Sequence, residues 1–185
     1  MNIVETVQKN LGFDPLKKID PNTQETIGDD MPIGNTALAQ AAIPSILLGI
    51  FNKLEDEPDT SWLEAGSENA GLFEKIFGKA APVVAGQISK YSKLQDKNSN
   101  QELEHISAES IRVVKDNIPD VSDINSVRKY AADHKPDTLL YLPPALQLGK
   151  ILKNNNLDDR TGKMEGPISS FMHTIEKTFN SSQGN

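Results

Sequence analysis

The sequence predicts an all-α protein, an irregular array of several helices in which buried helices begin at prolines. Apolar residues recur at three- and four-residue spacing along most of the 185-residue chain, and helix-capping patterns precede many of these runs. No segment alternates polar and apolar residues over enough positions to indicate a strand. Regular strand is therefore expected to be nearly absent.

The N-terminal part predicts three or more helices in succession. Asn2 can cap the first, because its side chain can accept a hydrogen bond from a free backbone N–H of the first turn. Asp-Pro pairs at 14–15 and 20–21 each place a carboxylate before a proline, so a short helix is expected after each. Residues 33–54 form a long, nearly uncharged segment, in which Pro44 is expected to kink the helix or to begin a new one.

The middle of the chain predicts one long amphipathic helix and a second, capped helix. Ser61 and Glu64 have the spacing of a capping box around a short turn. A single helix is expected over the apolar positions that follow at helical spacing, which are Phe73, Phe77, Ala80, Val84, Ile88 and Tyr91. Ser99 and Glu102 repeat the capping spacing before a helix that should end ahead of Pro119.

Two further helices are predicted in the C-terminal part, one from near Ser122 and one from Gly166-Pro167. The apolar face of the last one would consist of Ile168, Phe171, Met172, Ile175 and Phe179. The predicted organisation is a helical core domain over residues 1–118, a helical extension packed on it over 119–180, and a disordered tail at 181–185.

Three segments share one plan, in which a proline is followed by apolar residues, a glycine and a lysine. They are PSILLGIFNK from Pro44, PVVAGQISK from Pro82 and PALQLGKILK from Pro144. A membrane-spanning helix needs about 20 apolar residues, and a phosphate loop needs Gly-x-x-x-x-Gly-Lys-Ser/Thr, and neither pattern is met. Buried helices whose glycines admit a neighbouring helix are favoured. In the third segment the residues expected to face the core are Ala145, Leu148, Ile151 and Leu152, and Gly149 is the expected point of close approach.

Part of the chain resembles a known family. ALAQAAIPSILLGIFNKL, then LFEKIFGKAAPVVAGQISKYSKL, then a polar break and ELEHISAESIRVV resemble the YidB-like bacterial proteins. The resemblance covers roughly residues 2–117. It implies an all-helical bacterial protein of unassigned function and brings no catalytic residues.

Composition narrows the classes of partner. The formal charge of −7 and the absence of a basic run argue against nucleic acid, because nothing would offset repulsion by phosphates. The same charge disfavours contact with anionic membranes. The chain has no cysteine, and its N-terminus lacks the pattern of a signal peptide, so a cytoplasmic location is expected.

The three histidines are the obvious candidates for chemistry. Glu102 and His105 have the Glu-x-x-His spacing of di-iron bundles, but only His173 and Glu176 resemble a second half, in reversed order. His134 could pair with Asp133 or Asp137, although Asp137 is more simply a helix cap. The sequence therefore predicts no catalytic residue, no cofactor-binding residue, no metal ligand and no cofactor.

Two surface features remain as candidate binding sites. Trp62 could anchor a partner or plug a local gap, and residues 157–167 could be a binding loop or a plain connector. The predicted function is that of a non-enzymatic interaction or scaffold protein whose partner is a protein, and a homo-oligomer is compatible with it. The alternatives are a carrier or enzyme with an apolar pocket between helices, and a peripheral membrane protein.

Overall fold

The structure, a computed structural model, describes residues 2–19, 34–57, 59–63, 71–94 and 99–152. Across these ranges every regular element is helical and there is no strand, so the predicted all-α class is confirmed. The helices are α1 (Ile3–Asn10), α2 (Asn35–Asp56), α3 (Leu72–Phe77), α4 (Ala81–Ser92), α5 (Ser99–Asn117), α6 (Ile124–Leu139) and α7 (Leu148–Leu152). Asn2 caps α1 as predicted, since its Oδ1 accepts a hydrogen bond from the backbone N–H of Val4 at 2.9 Å.

Helix α2 forms the centre of the fold and packs against α1, α3, α4, α5 and α6. It is buried from Ala37 to Phe51 on every side, which explains why its sequence carries so few charges. The alternative that a new helix begins at Pro44 is wrong, because α2 runs through Pro44 as one helix. Burial on all sides holds the segment helical although the proline removes one backbone hydrogen bond.

By length and composition α2 could also cross a membrane, and it is the one such helix among the described residues. In the fold, however, 89% of its apolar 18-residue window is buried inside the protein. Helix α2 therefore has the environment of a core helix.

Gly49 explains how α3 comes close to this central helix. A Cβ atom at Gly49 would lie 2.6 Å from Cε1 of Phe77 and 2.7 Å from Cγ2 of Ile76, both buried residues of α3. These distances are shorter than real contacts, so only glycine fits. The predicted close approach at a glycine is confirmed for this segment.

The long helix expected from Phe73 to Tyr91 is instead two helices. Helix α3 stops at Phe77, Gly78 adopts a left-handed φ of 53°, and a 3-10 turn at Gly78–Ala80 leads into α4. Pro82 lies in the first turn of α4, so this helix does begin at its proline. Helix α4 is buried on one side, as its amphipathic spacing predicts. Pro82 and Gly86 lie on the exposed side, contrary to the expectation that this glycine admits a neighbouring helix of the fold.

A buried amide ties two connecting segments to α2. The side chain of Gln40 donates to the carbonyl oxygens of Tyr141 at 2.8 Å and Lys17 at 3.1 Å, and accepts from the Lys17 N–H at 2.9 Å. The helix predicted after Pro15 is absent, because residues 13–19 form an irregular segment. The Gln40 side chain forms hydrogen bonds with the backbone N–H and C=O of Lys17, groups that would bond within the helix if one formed here.

The segment from Pro144 also differs from its prediction. Residues Pro144–Leu146 form a single 3-10 turn, Gln147 adopts a φ of 47°, and α7 begins only at Leu148. Ala145 is exposed rather than in the core, whereas Leu148 and Gly149 are buried as predicted. Ile151 and Leu152 are half-buried.

Several predicted features lie outside the described residues. They are the helix after Asp20-Pro21, the loop at 157–167, the helix from Gly166-Pro167 and the tail at 181–185. Residues 119–152 of the predicted extension are largely described, and α6 packs along α2. Its buried Val127 and Ala131 belong to the same hydrophobic cluster as the core of α2.

Candidate functional site

The Glu-x-x-His pair on α5 is not part of a metal-binding cluster in the described part of the chain. His105 is exposed and Glu102 is half-buried, and no three His, Asp or Glu side chains come together within the described ranges. His173 and Glu176 lie outside them. The acidic residue with a clear structural role is Glu104, whose carboxylate accepts hydrogen bonds from the backbone N–H groups of Leu72 at 2.8 Å and Phe73 at 3.4 Å. Glu104 thus caps the start of α3 from a neighbouring helix.

His134 belongs to an aromatic cluster rather than to an acid–base pair. Its ring lies 4.4 Å from that of Tyr130 and 6.4 Å from that of Phe51, measured between ring centroids. Asp133 instead pairs with Lys129 at 2.7 Å. The assignment of Asp137 as a helix cap is wrong, because it lies inside α6, where Asp123 caps the N-terminus.

Trp62 lies in a 3-10 turn, Ser61–Leu63, and is partly buried against the core. Nζ of Lys53 is 5.5 Å from the centroid of its ring, a distance typical of a cation–π contact. Its indole N–H is enclosed and has no hydrogen-bond acceptor among the described residues. These contacts fit the plug interpretation of Trp62 better than the anchor interpretation.

Tyr141 forms a second buried polar contact, which the sequence did not predict. Its hydroxyl donates to Glu5 of α1 at 2.8 Å, and only 1% of the residue is exposed. Burial, with a smaller contribution from Glu5, raises the pKa of Tyr141 to about 12. Like the Gln40 amide, this contact joins parts of the chain that are distant in sequence.

The outer side of α4 is the surface that the fold leaves unused. Helix α4 turns Ala81, Val84, Ile88, Tyr91 and Ser92 inward. The opposite side, here termed the α4 face, consists of the exposed residues Lys79, Pro82, Val83, Gly86, Lys90 and Lys93. At about 100° per residue, the four of these positions inside α4, which are Pro82, Val83, Gly86 and Lys90, project within an arc of roughly 100°, and Lys79 and Lys93 flank the helix at its two ends. They therefore form one surface, with small residues at its centre and lysines near both ends.

The charge of this surface is opposite to that of the chain. Residues 71–94 contain four lysines and one glutamate, a formal charge of +3, whereas the whole chain carries −7. None of these four lysines forms an ion pair with another described residue. Elsewhere in the described ranges some cations are paired, since Lys53 contacts Glu57, Arg112 contacts Glu109 and Asp116, and Lys129 and Lys135 contact Asp133 and Glu55. What distinguishes residues 71–94 is that lysines outnumber carboxylates by four to one. The α4 face is thus a local positive region on an acidic protein.

At two positions of the α4 face, another residue type would make the fold more stable. Gly86 lies in the middle of the helix with an ordinary helical conformation, and a Cβ there would meet nothing within 4 Å. Alanine would fit and would stabilise the helix by about 0.5–1 kcal/mol. Lys93 ends α4 with a left-handed φ of 55°, a position that favours glycine. Such departures from local preference are typical of surfaces with a function.

Val83 adds an apolar contact to the same face. It is 52% exposed, more than Leu140, the other large hydrophobic residue with high exposure in the described ranges. Sequence reasoning missed the α4 face because the spacing of apolar residues indicates which side of a helix is buried, not whether exposed lysines lack acidic neighbours.

Comparison with protein-family models, with curated proteins and with solved structures returned no match for this chain. The resemblance to the YidB-like proteins therefore stays a prediction.

Proposed function

We propose that this chain is a non-enzymatic helical interaction protein of the bacterial cytoplasm that binds a protein partner through the α4 face. The observation that supports the proposal is the positive charge of that face, whose three lysines have no ion pair among the described residues and share the surface with exposed Val83. Protein interfaces commonly combine a small apolar centre with a charged rim that directs association. The α4 face offers both kinds of residue, an exposed valine and three lysines.

The rest of the described chain supports binding rather than catalysis. The buried amide of Gln40 joins two connecting segments to α2, and the buried hydroxyls of Ser107 and Thr138 bond within their own helices. The histidine singled out for acid–base chemistry, His134, stacks on aromatic rings instead. A rigid helical core that presents one helix to a partner is the arrangement that these contacts favour.

Site-specific photo-cross-linking tests the proposal. A benzophenone amino acid replaces Val83, at the edge of the α4 face, and in a matched control it replaces Lys129, an exposed residue on α6. In the native host we expect a discrete protein adduct from position 83 and none of the same mass from position 129. Equal labelling from both positions, or no protein adduct from position 83, would contradict the proposed function.

A further inference from the structure

The α4 face has the charge and the shape to receive one particular kind of partner element. We infer that the partner presents an acidic amphipathic helix, which lies along α4 with carboxylates opposite Lys79, Lys90 and Lys93. This inference rests on the proposed function and specifies the partner that the α4 face recognises.

The first argument is charge complementarity. Lys79, Lys90 and Lys93 give the α4 face a formal charge of +3, so the rest of the chain carries −10. Opposite charge on a partner would direct the encounter and fix the register of the two surfaces. The lysines at positions 79 and 93 are about 21 Å apart along a helix axis, at 1.5 Å per residue. An acidic helix of about 14 residues spans the same length.

The second argument is the shape of the centre. Gly86 has no side chain, and the space where its Cβ would lie is open on the outer side. Helix axes come within about 8–10 Å of one another, and small residues at the contact allow the shorter distance. Gly49 shows this packing inside the same protein, where the missing Cβ admits Phe77 of α3. Gly86 offers an equivalent opening to an outside helix.

Other occupants fit less well. A membrane would need large apolar or aromatic side chains to insert, and Val83 is the only large apolar residue on the face. Nucleic acid is usually held through more phosphate contacts than the three lysines of the face can make. On a second copy of this chain, Glu109, Asp116 and Asp133 already pair with Arg112 or Lys129 of their own helices. The exposed carboxylates without a described ion pair, such as Glu74 and Asp137, lie singly on different helices and form no acidic row. An acidic helix of a different protein is the occupant that remains.

The test is carried out in the full chain with the benzophenone at position 83. One variant combines Lys79→Gln, Lys90→Gln and Lys93→Gln, and the matched control combines Lys9→Gln, Lys17→Gln and Lys129→Gln, all exposed residues away from α4. Both variants shift the formal charge from −7 to −10, so they differ only in where the charge is lost. We expect the first to reduce the yield of the protein adduct by about tenfold and the control to leave it within about twofold. Mass spectrometry of the adduct should place the cross-link in an acidic helical segment of the partner.

The outcomes separate the two proposals. A protein adduct that does not depend on the three α4 lysines, or that maps to a neutral or basic segment or to a second copy of this chain, overturns the acidic helix and leaves the proposed function standing. Absence of any protein adduct at position 83 overturns both. Flotation of the purified protein with phosphatidylglycerol vesicles tests whether the α4 face binds lipid. Binding that the α4 variant abolishes and the control variant retains would show that the face recognises lipid, and would also overturn the inference.

Discussion

Two glycines at the same place in similar segments should respond in opposite ways to the same substitution. Gly49 follows Pro44 in α2, and Gly86 follows Pro82 in α4. Gly49→Ala would place a Cβ atom 2.6–2.8 Å from the ring of Phe77 and from Ile76. Gly86→Ala would place it in open space.

Two contributions determine the change in the free energy of unfolding. The helix propensity of alanine acts in both variants, and overpacking acts only at Gly49. Alanine stabilises a helix interior relative to glycine by about 0.5–1 kcal/mol, and both variants gain this contribution. The neighbours of Gly49 are buried and must move, and overpacking of this kind costs about 1–3 kcal/mol. The free energy of unfolding should therefore rise by about 0.5–1 kcal/mol in Gly86→Ala. It should be about 1–3 kcal/mol lower in Gly49→Ala than in Gly86→Ala, because the shared term cancels.

Urea denaturation followed by far-UV circular dichroism measures this difference, and thermal melts provide a second measurement. For a chain of this size, 1 kcal/mol corresponds to about 2–4 °C in Tm. Equal stabilisation of the two variants would show that α3 does not press on Gly49, and would refute the reasoning. Destabilisation by Gly86→Ala would show that the outer side of α4 is covered in the free protein.

Three further changes test the contacts that hold the helices in place. Glu104→Gln removes the carboxylate that caps α3 and should lower stability by about 0.5–2 kcal/mol in the same urea titration, and an unchanged midpoint would contradict the capping role. Tyr141→Phe should lower stability by about 1–3 kcal/mol at neutral pH, because Glu5 loses its hydrogen-bond donor. The pKa of Tyr141 is raised from 10.0 to about 12, so the stability it contributes is complete below pH 10 and is lost as the pH rises towards 12, and wild type and variant should converge over that interval. Leu148→Ala should lower stability by about 2–5 kcal/mol because the leucine is 1% exposed, whereas Lys150→Ala should change it little, and the reverse ranking would contradict the assigned burial.

Much of the fold could be predicted because its signals are local. The cap at Asn2, the first-turn proline of α4 and the end of α5 ahead of Pro119 each depend on residues within a few positions of one another. The buried side of α4 follows from the spacing of Val84, Ile88 and Tyr91.

The errors arose where contacts distant in sequence outweigh local signals. The capping pattern at Asp14-Pro15 predicted a helix, but this segment has its backbone bonded to Gln40, some 23 residues away at Lys17. Apolar spacing continues unbroken across Gly78, yet the chain turns there, because periodicity indicates which side is buried and not where the axis changes direction. Neither outcome can be read from neighbouring residues.

The three proline-to-glycine segments show why the candidate site needed the structure. One plan of residues produces a helix buried on every side at Pro44, a helix with an open outer face at Pro82, and a 3-10 turn followed by a short helix at Pro144. In the first, the glycine admits another helix of the same fold. In the second, the glycine offers the same opening, but solvent lies outside it and lysines lie on either side. The outer side of α4 has a glycine that allows close packing, and no described helix lies against it. Its charge is opposite to that of the rest of the chain. This side of α4 is therefore complementary to an acidic helix of another protein.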